Sequence, residues 1–183
     1  MLYCYYIMQG SQVLKGKERR IIGIDPGYDR CGVAIIEGKM QAPKLLFSCC
    51  IETDKKKSFV ERVEFIFNCL NEIIQEWGPT DCSIEDIFFT NNQKTVIKVS
   101  EARGVCLLAA QINKLKIGEY TPLQVKTYLT SYGKADKKQV YFIVEKILKL
   151  DFKNPEIKKE WSKKQDDEID AIAIALTHLF VAK

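Results

Sequence analysis

Residues 21–27 read Ile21-Ile22-Gly23-Ile24-Asp25-Pro26-Gly27, an aliphatic strand interrupted by a carboxylate and stopped at once by a turn. A charge among branched aliphatics is costly to bury unless something answers it. The pattern recurs at Cys82-Ser83-Ile84-Glu85-Asp86-Ile87-Phe88, and again at Asp167-Glu168-Ile169-Asp170-Ala171-Ile172-Ala173-Ile174. Three apolar elements, far apart in the chain, each carry an acid that no sequence neighbour neutralises. A fold that brings the acids together around a divalent cation resolves all three at once. That points to chemistry on phosphate.

The elements around these acids can be placed from periodicity. Residues 19–25 predict a strand, 26–31 a turn, 32–37 a returning strand and 45–53 a third strand. From Ser58 to Trp77 the apolar residues Phe59, Val63, Ile66, Phe67, Leu70, Ile73 and Ile74 keep helical spacing, and Gly78-Pro79 ends the run. A strand follows at 81–87, a helix at 95–114, a strand at 117–121, and helices at 122–132 and 137–150. Residues 154–164 read as a charged connection, and a last helix begins near Asp166. Three meandering strands followed by alternating helices and strands predict an α/β domain. Its mixed five-stranded sheet has an antiparallel meander, parallel strands added through crossover helices, and flanking helices. Ligands on such sheets gather outside the carboxyl ends of the strands, where Asp25 and Glu85 both fall.

A chain of 183 residues suits one domain, here 21–183. Residues 1–20 are expected to be an N-terminal extension or alternative start, poorly ordered. Leu2 to Met8 is apolar but lacks the basic lead and small-residue cleavage site of a signal peptide. No apolar run is long enough for a membrane span. Seven scattered cysteines, an odd number with no C-x-x-C, argue against a disulfide framework and for a reducing, cytoplasmic location. With His178 as the single histidine, a structural zinc is not expected.

Charge is unevenly placed. Between Lys126 and Lys164 there are eleven lysines against five acids, so the net +4 of the chain lies in its C-terminal third. A solvated lysine-rich surface would give the same count; a polyanion held beside an acidic metal site would explain its position.

Asp167 and Asp170 are three apart and share a helix face. Asp167 alone would also suit the helix N-terminus, where the macrodipole favours an acid. Asp170 is already inside the helix, so capping does not account for it, whereas Asp166 and Glu168 fit capping or solvation. Asp25, Glu85, Asp167 and Asp170 together could hold two magnesium ions. His178 is eleven residues beyond Asp167, about 16 Å along one helix, and reads as a helix-end residue.

Gly23-Ile24-Asp25-Pro26-Gly27, Ser83-Ile84-Glu85-Asp86-Ile87-Phe88 and Asp167-x-x-Asp170-Ala-Ile-Ala-Ile-Ala-Leu-Thr-His178 resemble, in order and spacing, the motifs of the RuvC family of Holliday-junction resolvases. Glu101-Ala102-Arg103-Gly104 and Gln124-Val125-Lys126 sit where similar stretches occur, so the resemblance spans about 21–180. It implies a ribonuclease-H-like fold, a homodimer, and symmetric nicking of four-way DNA junctions. It also implies two magnesium ions per subunit, with manganese able to substitute, on the same four carboxylates. Lys126 and Lys137 match lysines near the junction phosphates. Lys134, Lys138 and Arg103 join them as candidate DNA-binding residues. Phe88 corresponds to an aromatic associated with the unpaired junction centre, where it could stack a base; core packing is its alternative role. A branch-migration motor is a candidate further partner.

Other readings fit less well. Gly133-Lys134 lacks the upstream glycine and following Ser/Thr of a phosphate-binding loop. The glycines near Asp25 have the wrong spacing for a dinucleotide site. Sugar-kinase and actin-like ATPases share the D-x-G turn but need a second lobe. A ribonuclease-H-like nuclease acting on RNA, of the YqgF type, is the nearest enzymatic rival. A catalytically inactive junction binder is the rival from another class.

Overall fold

A computed structural model describes residues 18–86 and 93–182. Strands β1 (Arg20–Asp25), β2 (Arg30–Lys39) and β3 (Ala42–Glu52) form the antiparallel meander. β4 (Asp81–Glu85) and β5 (Lys116–Tyr120) add to it in parallel, giving the order β3-β2-β1-β4-β5. Helices α1 (Phe59–Trp77) and α2 (Gln93–Ile112) cover one face. The other carries α3 (Pro122–Thr130), α4 (Lys137–Ile147) and α6 (Asp166–Val181), with α5 (Pro155–Trp161) beside them.

Local chemistry sets the helix ends. The Ser58 hydroxyl accepts from the Glu61 amide while the Glu61 carboxylate accepts from the Ser58 amide, and Thr121 with Gln124 and Asp136 with Gln139 repeat the exchange. Gly78, at φ 57°, closes α1 in the left-handed conformation that a side chain would disfavour. Pro122 occupies the first turn of α3, where its missing N–H costs nothing.

Strand alternation divides the core in two. Ile22, Ile24, Val33, Ile35, Cys82 and Ile84 face α1 and α2. Ile21, Ala34 and Ile36 face α6, whose residues Ala171 to Leu176 are almost wholly buried. Each fully buried isoleucine of α6 contributes roughly 1.5–3 kcal/mol, so this helix is fixed firmly on the sheet.

Two expectations are corrected. Residues 154–164 are not merely a connection, since they contain α5. Asn154 caps it by accepting from the Glu156 amide at 2.9 Å, Pro155 begins it, and Trp161 packs on the core while donating to Glu145 Oε1 at 2.9 Å. With no apolar repeat, α5 gives no periodic signal. His178 is not a simple helix-end residue either. It is 4% exposed, its Nδ1 lies 3.0 Å from the Tyr120 hydroxyl, and its Nε2 lies 3.0 Å from Arg19 and 3.3 Å from Asp81.

The residues expected in the N-terminal extension lie largely outside the described region. Among the described residues no disulfide is formed, and no helix is long and apolar enough to cross a membrane.

Candidate active site

Strand parity aims the first two acids. On β1, Asp25 shares a face with Ile21 and Gly23; on β4, Glu85 shares one with Asp81 and Ser83. Both are the α6 face, since Ser83 Oγ donates to the Ile174 carbonyl at 2.7 Å. The parallel register pairs Ile24 with Ile84, so Asp25 and Glu85 leave neighbouring strand ends side by side.

Glycines let α6 deliver the other two. A Cβ built on Gly23 would stand 2.2 Å from the Ala171 carbonyl oxygen, and one on Gly32 would stand 2.0 Å from that of Asp167. Hydrogens alone at these positions allow the helix backbone to lie directly on β1 and β2. Its first turns then place Asp167 and Asp170 over the ends of β1 and β4. Glu168 takes a different role, accepting from the Gln165 amide at 3.1 Å and from Ser48 at 2.8 Å, and Asp166 is exposed beside Lys137 at 3.4 Å.

The crowding of acids is electrostatically costly. Burial, followed by the charges of Glu85, Asp170 and Asp167, pushes Asp25 up to about 8. Burial and Asp170 push Glu85 up to about 7, against the opposing pull of Lys137 and Lys126. Burial also raises Asp170, although the hydrogen bond from Lys137 opposes it. Lys137 donates to Asp170 at 2.8 Å, and its ammonium lies 5.4 Å from the centre of the Tyr141 ring. Asp167 pairs with Arg30, and the Cys50 thiol approaches the same oxygen at 3.9 Å.

Oxygen donors such as Asp25, Glu85 and Asp170, whose charged forms are disfavoured first by burial and then by one another, suit a hard divalent cation that would offset that charge. Among the described residues no three such side chains are closed around one point. Two of the acids are engaged by cations, Asp167 by Arg30 and Asp170 by Lys137.

Beside the acids lies a cleft of about 240 Å³ lined by Glu85, Asp170, Val125, Val140, Lys126 and Lys137. Lys134 and Lys138 are exposed nearby in sequence, at the approach to α4 and in its first turn. Arg103 is held by protein groups. Its Nε donates to the Glu85 carbonyl at 2.9 Å, and its guanidinium pairs with Asp86 at 3.3 Å and with Glu119. It therefore lies beneath the end of β4, while Phe88 lies outside the described residues.

Sequence reasoning missed two cations. Arg30 opens β2, where a hairpin charge would attract no notice. Arg62 on α1 donates to Thr53 Oγ1 at 2.8 Å and to the Tyr28 carbonyl at 3.1 Å, and pairs with Asp29. It braces the turn that follows Asp25. Its burial on an otherwise apolar helix face was the available signal.

A meander-plus-parallel sheet, with strand-end carboxylates facing two more from a helix laid across it, defines a nuclease of the ribonuclease-H-like class. The profile of the family described as crossover junction endodeoxyribonuclease RuvC matches residues 21–178. The chain belongs to this family, whose members hydrolyse DNA phosphodiesters and are in general dependent on divalent metals. A relative of the same description from Finegoldia magna is 43% identical over 164 residues, covering 90% of this chain and 94% of the relative. Another, from Brachyspira hyodysenteriae, is 42% identical and covers 86% and 91%. The structure of Thermus thermophilus RuvC in complex with a Holliday junction superposes with a TM-score of 0.80 at 30% identity, covering 90% of this chain and 94% of that one. The yeast mitochondrial Holliday junction resolvase Ydc2, 16% identical with a TM-score of 0.65, shares the fold.

Proposed function

We propose that this chain resolves four-way DNA junctions as a homodimer, making paired symmetric nicks by metal-assisted phosphodiester hydrolysis. The observation that carries the reading is that Asp25 feels the charges of Glu85, Asp170 and Asp167 beside a cleft that Glu85, Asp170, Lys126 and Lys137 line. These four carboxylates are assigned as ligands of two magnesium ions, with manganese able to substitute. When bound, such ions supply the charge that activates a water and stabilises the departing oxygen of an in-line displacement. The protein's own groups set the geometry. Arg103 fixes the end of β4 below Glu85, Arg62 fixes the turn after Asp25, and Lys126 and Lys137 hold substrate phosphates over the acids. Lys134 and Lys138 extend the basic rim along the DNA backbone. Phe88 is assigned to stacking at the unpaired junction centre.

Pairing of subunits is supported by α2, which is apolar on two sides. Ala102, Cys106, Ala109 and Ala110 are buried against the core. Ile97, Leu108 and Ile112 are 58%, 52% and 57% exposed, and their spacing places them on one outward stripe. A second copy is the proposed occupant, and a branch-migration motor is the candidate partner of the dimer on DNA.

The test is incision of a mobile four-way junction in magnesium, run beside linear duplex and an RNA–DNA hybrid. Junction-selective nicking supports the proposal. Equal cutting of the hybrid would favour an RNA nuclease, and binding without cutting would favour a passive binder.

A further inference from the structure

Arg30 is the first residue of β2, five positions after Asp25, and its guanidinium holds Asp167. The Arg30 side chain is 47% exposed and that of Asp167 26%, so the pair sits at the mouth of the site, in reach of solvent. Lys137 likewise takes Asp170 from the other side. Both carboxylates supplied by α6 are thus held by protein cations.

The pair is not needed to locate α6. The close packing at Gly23 and Gly32, the Ser83 bond to Ile174 and the 2.7 Å bond from Gln165 to Glu52 already fix that helix. What the pair does engage is the Asp167 carboxylate itself, one oxygen of which is taken by Arg30 and approached by the Cys50 thiol. A guanidinium accepts a phosphate as readily as a carboxylate, through the same forked geometry.

Resting on the functional reading above, we infer that Arg30 is a positioning residue that withholds Asp167 from the metal until a DNA phosphate draws the guanidinium away. In the free protein a cation must compete with Arg30 for Asp167. On the junction, Arg30 moves to the backbone and Asp167 is released to the metal site. Linkage makes the effect reciprocal, so metal and DNA each favour binding of the other. Nicking is thereby restricted to seated substrate.

The experiment is calorimetric titration of the full chain with Ca2+, free and saturated with a four-way junction, for wild type, Arg30→Ala and Arg30→Lys. A partly exposed ion pair is worth a few tenths to about 1 kcal/mol, so Arg30→Ala should bind Ca2+ roughly two- to fivefold more tightly when free. On the junction it should match the wild type, so the metal–DNA coupling shrinks by the same factor. In chelator, its junction affinity should fall and the salt dependence should lose about one phosphate contact. Arg30→Lys keeps the charge without the fork and should fall between; should the alanine variant not fold, a lysine variant with wild-type Ca2+ affinity would overturn the inference. A folded Arg30→Ala with unchanged or weaker Ca2+ affinity would overturn it too. Failure of the wild type to nick the junction would contradict the functional reading, whereas the free-protein titration decides the role of Arg30 by itself.

Discussion

Gly32 on β2 and Asp167 on α6 touch backbone to backbone: a Cβ on the glycine would lie 2.0 Å from the Asp167 carbonyl oxygen and 2.5 Å from its carbon. Neither atom belongs to a flexible side chain, so the helix start itself would have to move. Gly32→Ala should cost on the order of 1–3 kcal/mol of stability and displace Asp167 from the other acids. Chemical denaturation, with nicking measured on the folded fraction, checks both effects; wild-type activity in the variant would show that the contact does not set the site.

Asp25 links stability to catalysis with a definite sign. Its folded pKa of about 8, and that of about 7 for Glu85, stand above the unfolded values. The folded metal-free protein therefore binds more protons than the unfolded chain between roughly pH 4 and pH 8. The contribution of these groups is fully present below about pH 4 and is lost as pH rises through about 7 to 8. Asp25→Asn should abolish cutting and keep junction binding. In chelator at pH 8.5 it should be more stable than wild type by on the order of 1–3 kcal/mol, with no such gain near pH 4. Magnesium should stabilise the wild type at pH 8.5 and not the variant, as urea midpoints would register.

At the far end of β4, Asp81 obeys the opposite sign. Burial pushes it up, but the hydrogen bonds from Arg19 (2.5 Å), Thr80 (2.6 Å) and His178 outweigh that and hold it at about 2. Its contribution is present above the ordinary carboxylate range and is lost as pH falls through about 2. Asp81→Asn should cost about 1–3 kcal/mol at neutral pH, less than a wholly buried pair because Arg19 remains partly solvated. Nicking per folded molecule should not change, which a joint stability and activity measurement would establish.

Leu108, in the outward stripe of α2, should be intolerant of charge if a second copy covers it. Leu108→Glu should halve the mass seen by light scattering at micromolar protein and convert paired incision into single, uncoupled nicks. A wild-type monomer, or a variant that still dimerises, would remove α2 from the interface.

How much could be read from the chain follows from where each signal lies. Asp25 and Glu85 announced themselves because each interrupts an apolar strand at its carboxyl end, and strand parity then turns both to one face. Asp170 was legible because it sits inside a buried helix, where capping gives it no reason to be acidic. The capping exchanges at Ser58, Thr121 and Asp136 are local to three residues, yet the helices were placed from apolar spacing alone. The cations were not legible. Arg30 meets Asp167 only because α6 lies on Gly32, and the chain does not state that crossing. Arg103, expected among the DNA-binding residues, also engages the Glu85 carbonyl, Asp86 and Glu119, partners dispersed over two strand ends. The cluster of Arg19, Asp81, Tyr120 and His178 likewise joins four distant segments and has no local signature. Local charge-in-apolar conflicts were visible; their resolution by tertiary neighbours was not.

Junction incision tests the central claim most directly. Wild type and Asp25→Asn are incubated in magnesium with a mobile four-way junction labelled on each strand in turn, and the products are mapped at nucleotide resolution. The expected result is a pair of nicks at symmetric positions from the wild type, none from the variant despite equal junction binding, and an intact linear duplex. Undiminished cutting by Asp25→Asn, or wild-type cutting of linear duplex as fast as of the junction, would contradict it.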